Sequence, residues 1–153
     1  MKALELKLPP LPLAVGFGAL MWAIDHWLPT QFDRSVIRTA LALTIFGFAL
    51  AVVVVAVRGF RKAKTTVDPF HPESASSVVT TGIYRFTRNP MYLGFLVALI
   101  ALAVFLGNLI SALMPLVFVF YMNRFQIAPE ERALRVRFGD SYEAYLNSVR
   151  RWI

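Results

Sequence analysis

The sequence predicts an all-α integral membrane protein of about four transmembrane helices, the third and fourth forming a hairpin, followed by a cytoplasmic helical tail. Three observations carry this expectation. Hydrophobic residues make up 58% of the 153 residues and charged residues only 16%. A single soluble domain of this length cannot hide so much apolar surface. The apolar residues are gathered into runs long enough to cross a bilayer, and the basic residues are gathered between those runs, almost all on one side.

The first run is about 11–28 and is closed by Pro29. Lys2 and Lys7 precede it, as in a signal peptide, but the run holds Asp25, His26 and Trp27 and no small-residue cleavage site follows. It is therefore expected to be retained as a helix. The second run, about 36–57, ends in four consecutive valines and Arg58. Each run can cross a hydrocarbon layer about 30 Å thick at about 1.5 Å per residue.

From Met91 to Met122 there is no charged residue. That stretch is too long for one spanning helix, and Gly107-Asn108 stands near its middle. Gly suits a helix C′ position and Asn the following N-cap, so two helices are expected, about 90–106 and 109–125. Pro90 suits a first turn, with Asn89 as a cap. Pro115 is expected inside the fourth helix, kinking it unless neighbours satisfy the freed carbonyl.

Of the 16 basic residues, all but Arg34 and Arg38 fall on one side of such a four-helix arrangement. The positive-inside rule makes that side cytoplasmic and puts both termini there, with a bacterial inner membrane as the expected location. The net charge of +7 is thus topological, and no nucleic-acid partner is expected. The chain has no cysteine, which excludes disulfides and thiolate chemistry. His71 and Asp68 do not make a metal site with the one other histidine, His26, and no metal is expected.

The segment between the second and third runs is too long for a plain connector, and about 64–90 is expected to form a binding loop. In the tail, 126–153, Pro129-Glu130-Glu131 reads as a helix start. Gly139 can end that helix, and Asp140 or Ser141 can cap a last one carrying Tyr142, Tyr145, Val149 and Trp152.

Two motifs flank the hairpin. Gly82-x-Tyr84-x-x-x-Arg88-Asn89-Pro90-x-Tyr92-x-Gly94 stands before it. Glu130-Glu131-x-x-Leu134-x-x-x-Phe138-Gly139-x-x-Tyr142-x-x-Tyr145, closing on Val149-Arg150-Arg151-Trp152, stands after it. The pair resembles the isoprenylcysteine carboxyl methyltransferase and phospholipid methyltransferase superfamily, over about 65–152, and is similar to its bacterial-type members. The resemblance implies one integral membrane methyltransferase domain using S-adenosylmethionine, with a cofactor pocket formed by the first motif, the helix after it and the acidic tail segment. Eukaryotic members typically have His where Asn89 stands.

On this resemblance the cofactor would be held by Val79, Thr80, Thr81, Gly82, Tyr84, Arg88, Asn89, Pro90, Tyr92, Gly94, Glu130 and Glu131. Glu130 and Glu131 can accept hydrogen bonds from ribose hydroxyls or an amine and add negative potential near a sulfonium; equally, two acids simply start a helix. Arg88 can pair with a carboxylate through its planar guanidinium, while arginines at a cytoplasmic helix end are also ordinary. Tyr84 and Tyr92 can stack on adenine or anchor at an interface. Val79, Thr80 and Thr81 offer backbone hydrogen bonds. Gly82 and Gly94 allow close approach to ligand or helix. Arg124 and Glu131 are the candidate catalytic residues, Arg124 holding an acceptor head group or else snorkelling at the interface.

The expected acceptor is lipophilic and arrives laterally through the bilayer. A carboxylate needs no proton removed, and no histidine base is evident, which favours carboxyl O-methylation of an isoprenylcysteine-like compound. Phospholipid ethanolamine-type N-methylation and a non-enzymatic protein that kept the scaffold are the alternatives. The sequence leaves the acceptor and the oligomeric state open.

Overall fold

Helix α1 opens on Pro9-Pro10, where a missing N–H does no harm, because the first turn has no carbonyl to serve. In a computed structural model describing residues 4–29, 35–63 and 76–153, it spans Pro10–Trp27. All regular elements among these residues are helical. Lys2, Arg34, Lys64, Asp68 and His71, and the first part of the expected binding loop, lie outside the described residues.

Helix α2 spans Val36–Lys62, with Ser35 Oγ accepting from the Arg38 N–H at 3.2 Å. It runs past the expected end at Val57, and Arg61 and Lys62 suit the negative end of its dipole. At about 40 Å it is, among the described residues, the one helix long and apolar enough to cross a membrane. Large apolar side chains such as Leu11, Val15, Trp22, Leu43 and Phe48 are exposed on α1 and α2, consistent with a lipid surround.

Helix α3 is Pro90–Leu106, as the sequence predicts, and ends on Gly107 with φ 65°. The expected cap at Asn89 is corrected in part. Asn89 occupies the N-cap position, but its side chain makes no cap bond and is used elsewhere. Asn108 behaves as a cap: its Oδ1 accepts from the N–H groups of Ile110 and Ser111 at 3.0 and 3.1 Å. Its Nδ2 donates to Leu28 O at 2.7 Å and Asp25 Oδ1 at 3.4 Å. Ser111 Oγ donates to Met21 O at 3.0 Å. These bonds tie the hairpin turn to the end of α1, so Asp25 has a structural contact there.

The fourth helix departs from the expected 109–125. A 3₁₀ turn, Ser111–Leu113, leads into α4, Met114–Tyr121, then a π-helical segment, Met122–Ile127, then α5, Ala128–Phe138. The junction residues Met122, Ile127 and Ala128 all keep right-handed helical backbone, so the expected tail helix simply continues the fourth. Pro115 falls in the first turn of α4 and breaks no bond. Pro129 is the residue that cannot donate to a carbonyl four residues back, at Phe125. The helix accommodates it by widening into the π segment, and Phe125 O accepts instead from the Leu6 N–H at 3.0 Å.

Helix α6, Asp140–Ser148, follows Gly139 at φ 53°. Neither Asp140 nor Ser141 caps it as expected, since Ser141 Oγ donates to Phe138 O. Val149 and Trp152 lie beyond its end, and the Val149 backbone is extended.

Helix α3 is central. It packs along α2 and against α1 and α4, around Met21, Tyr92, Leu99, Leu106, Phe118, Met122 and Ile127.

Candidate active site

The first motif and the chain end are built against each other. Arg88 N–H donates to Arg150 O at 3.0 Å. Thr87 Oγ1 and Asn89 Nδ2 both donate to Arg151 O, at 3.3 and 2.9 Å. Arg88 Nη1 donates to Leu146 O and Val149 O at 2.7 and 2.8 Å. A short polar stretch thereby satisfies carbonyls that the end of α6 leaves open.

At the centre is Glu131, buried on α5. It accepts from Arg88 Nη2 at 2.9 Å and from Arg151 Nη2 and Nε at 2.6 and 3.0 Å. Asn123 Oδ1 accepts from Trp152 Nε1 at 3.0 Å, and lies 3.5 Å from Arg151 Nη1. One buried carboxylate thus joins the first motif, α5 and the chain end.

Glu130 faces different company. Tyr92 OH and Gln126 Nε2 both donate to its Oε1 at 2.5 Å, and both donors are neutral. Enclosure by protein pushes its carboxyl up to about 7, against the two hydrogen bonds, which lower it; the negative Glu131 adds to the rise. The sign for stability follows. A carboxyl raised from 4.5 to about 7 on folding favours the folded state at low pH, and this contribution is lost as pH rises through 7. Stability should fall by about 3 kcal/mol between pH 4.5 and 8 from this group. Thermal unfolding across that range, compared with Glu130→Gln, should show the two proteins converging at low pH and diverging above neutrality.

Tyrosines complete the wall. Tyr84 OH donates to Ala56 O at 3.3 Å, and Tyr145 OH donates to Tyr84 O at 2.7 Å. Burial pushes the Tyr84 and Tyr142 phenols up, and Tyr145 to about 12, so all three stay neutral at ordinary pH.

These side chains surround a polar cavity of about 110 Å³. Val79, Tyr84, Arg88, Asn89, Pro90, Tyr92, Glu130 and Glu131 line it, as do Phe60, Leu134, Tyr142 and Tyr145. Thr80, Thr81 and Gly82 are exposed and outside the lining. Gly94 sits against α2, beside the backbone of Ala49 and Val53. Arg124 is also outside: it pairs with Glu5 at 2.8 Å, and Arg132 holds the other oxygen of the same carboxylate. Sequence reasoning did not place Arg151, Asn123 or Gln126 at the site. The Arg150-Arg151-Trp152 ending was a visible signal, whereas Asn123 and Gln126 are aimed by the π segment, which no sequence pattern announced.

Beside this cavity lies a second, apolar cleft of about 790 Å³ between α1, α2 and α3. Met91 and Tyr92 line both.

The phospholipid methyltransferase family profile matches residues 37–141, which contain nearly all of α2, the whole of α3 and Glu130-Glu131. The chain belongs to the phospholipid methyltransferase family. Membership makes it a methyltransferase, which requires a methyl donor. Over 142 residues it is 31% identical to a probable protein-S-isoprenylcysteine O-methyltransferase of Oryza sativa subsp. indica, covering 90% of this chain and 72% of that protein. It is 38% identical over 72 residues to the protein-S-isoprenylcysteine O-methyltransferase of Schizosaccharomyces pombe, covering 47% of this chain and 30% of that protein. A methanethiol S-methyltransferase of Bradyrhizobium diazoefficiens is 41% identical over 68 residues, 44% of this chain and 22% of that protein. The chain thus spans under a third of two of these relatives. No solved structure matches it. The relatives are thus named for acceptors of different chemistry.

Proposed function

We propose that this phospholipid methyltransferase family member is an integral membrane enzyme that moves a methyl group from S-adenosylmethionine to a lipophilic acceptor. The observation that carries this is the meeting of a polar cavity and an apolar cleft at Met91 and Tyr92. A charged cofactor and a greasy acceptor need that juxtaposition. When bound, the cofactor supplies a methyl group on a cationic sulfur.

The residues present fit such a cofactor. Arg88 Nε is buried without a hydrogen-bond partner among the described residues, a donor left over for a carboxylate. Glu130 and Glu131 put negative potential where a sulfonium or an amine would be favoured. Tyr84, Tyr142 and Phe60 offer ring faces. The cavity of about 110 Å³ is smaller than the roughly 300–1,000 Å³ of whole ligand sites. The described residues therefore wall only part of it.

Four membrane crossings with both ends in the cytoplasm fit the contact of Glu5 and Leu6 with Arg124, Arg132 and Phe125, which puts the amino-terminal segment and α5 at one end of the bundle. The acceptor we favour is the carboxyl of an isoprenylcysteine-like compound, in keeping with the names of the rice and yeast relatives. An ethanolamine-type phospholipid amine is the second reading, supported by the family profile. In either case the protein's task is to align the acceptor with the methyl carbon and exclude water, worth up to about 7–11 kcal/mol in well-oriented systems.

Titration calorimetry in detergent and in lipid nanodiscs tests this. Saturable binding of S-adenosylmethionine is expected, and it should be abolished in Leu134→Trp, which fills the polar cavity while leaving the Arg88–Glu131–Arg151 bonds in place. No binding by folded protein in both media would overturn the proposal.

A further inference from the structure

Glu130 and Glu131 are neighbours with opposite surroundings. Glu131 is fully occupied by two arginines. Among the described residues Glu130 has no arginine partner, only the neutral donors Tyr92 and Gln126. Tyr92, with Met91, lines both the polar cavity and the apolar cleft. The residue thus stands where an acceptor's head group would meet the cofactor, and its hydroxyl is already hydrogen-bonded to a carboxylate of the polar cavity.

We propose that Tyr92 and Glu130 form a proton relay for the methyl acceptor, Glu130 being the base. This rests on the methyltransferase reading above and extends it to acceptors that arrive carrying their proton, with a long-chain thiol as the probe. The acceptor atom gives its electron pair to the methyl carbon as the carbon–sulfur bond breaks, the pair of that bond remaining on sulfur. Its proton passes to the Tyr92 oxygen while the Tyr92 proton moves to Glu130 Oε1. The net change is one methyl transferred and one proton on Glu130, to be released before the next turnover.

The charged and titratable groups around Glu130 fit this task. Glu131 on α5 repels its negative charge, with Arg88 and Arg151 engaged by Glu131, and Tyr142 stands on α6. A carboxyl poised near neutrality both accepts and releases a proton at cytoplasmic pH. Among the described residues no histidine lines the cavity, and Glu130 is the carboxylate there that no arginine engages.

Three measurements decide it, with Glu130→Gln and Tyr92→Phe. Infrared difference titration should show a carboxyl band with a midpoint near 7 that is absent in Glu130→Gln and displaced in Tyr92→Phe. Calorimetric binding of S-adenosylmethionine should persist in Glu130→Gln, weakened only by the loss of the negative potential that Glu130 contributes. Methyl transfer to dodecanethiol should fall by roughly 10²–10⁴-fold in Glu130→Gln, and less for an S-prenylated N-acylcysteine, whose carboxylate is already ionised. Loss of cofactor binding in Glu130→Gln would make Glu130 a cofactor ligand and overturn the relay. So would a carboxylate ionised down to pH 5, undiminished transfer in the variant, or a cofactor-loaded protein inert toward the thiol. Failure of the unsubstituted protein to bind the cofactor would sink the parent reading, while the infrared titration would still decide the state of Glu130.

Discussion

Glu131→Ala is expected to destabilise the protein by about 3–5 kcal/mol, because it leaves buried guanidinium groups without their counter-charge. The glutamate side chain is 7% exposed, and Arg88 is 13% exposed. Arg88 keeps its bonds to Leu146 O and Val149 O, but those carbonyls do not neutralise it. Arg151, at 34% exposure, can turn toward solvent, so Arg151→Met should cost clearly less. Glu131→Gln keeps an acceptor for one arginine and should fall between. Thermal unfolding in detergent measures all three. A shift in Glu131→Ala no larger than that in Arg151→Met would show that the carboxylate does not hold the motif to the chain end. The variant should also lose cofactor binding, since Arg88 shapes the polar cavity.

The second large effect is expected at Gly94, where α3 lies directly against the backbone of α2. A Cβ there would run into Val53 Cγ2 and would sit 3.1 Å from the Ala49 carbonyl oxygen and 3.4 Å from the Val53 nitrogen. Val53 can change rotamer, but the backbone of a helix cannot yield without moving the helix. Gly94→Ala should therefore cost about 1–3 kcal/mol by overpacking, and Gly94→Leu should prevent α2 and α3 from closing. Val53→Ala should rescue part of the Gly94→Ala loss, since it removes one of the clashes and leaves the other; a double-mutant cycle reads this coupling. Gly47 is the control. Nothing lies within 4 Å of a Cβ built on it, so Gly47→Ala should change stability by no more than about 0.5 kcal/mol. Equal losses at both glycines would refute the packing argument.

Much of this molecule was legible in its residues because local rules decide it. The start of α3 at Pro90 and its end at Gly107 follow from a missing N–H and a missing Cβ. The capping behaviour of Asn108 follows from a short side chain that reaches its own backbone. The bend at Gly139 follows from positive φ. The family was legible too, since its two motifs are runs of residue types at fixed spacing.

The fourth helix shows where such rules stop. Pro115 and Pro129 are the same residue with the same missing donor. Pro115 proved harmless because the helix starts beside it. Pro129 proved consequential because the helix passes through it. Which of these holds depends on where the chain is carried by packing. In the same way, Arg124 points to Glu5 because the amino-terminal segment crosses to satisfy Phe125 O, a partnership between residues far apart in the chain.

The sequence by itself determined the apolar runs, the start and end of α3 and the family. Composition, turn chemistry and motif spacing are properties of neighbouring residues, and they survive without knowledge of the fold. Only the tertiary structure decided that Glu131 is locked by two arginines while Glu130 is left with a tyrosine and a glutamine. The two acids are adjacent and chemically identical. Their difference is one of direction on a helix, burial and the charges that distant segments bring within reach, and those are set when α3, α5 and the chain end come together.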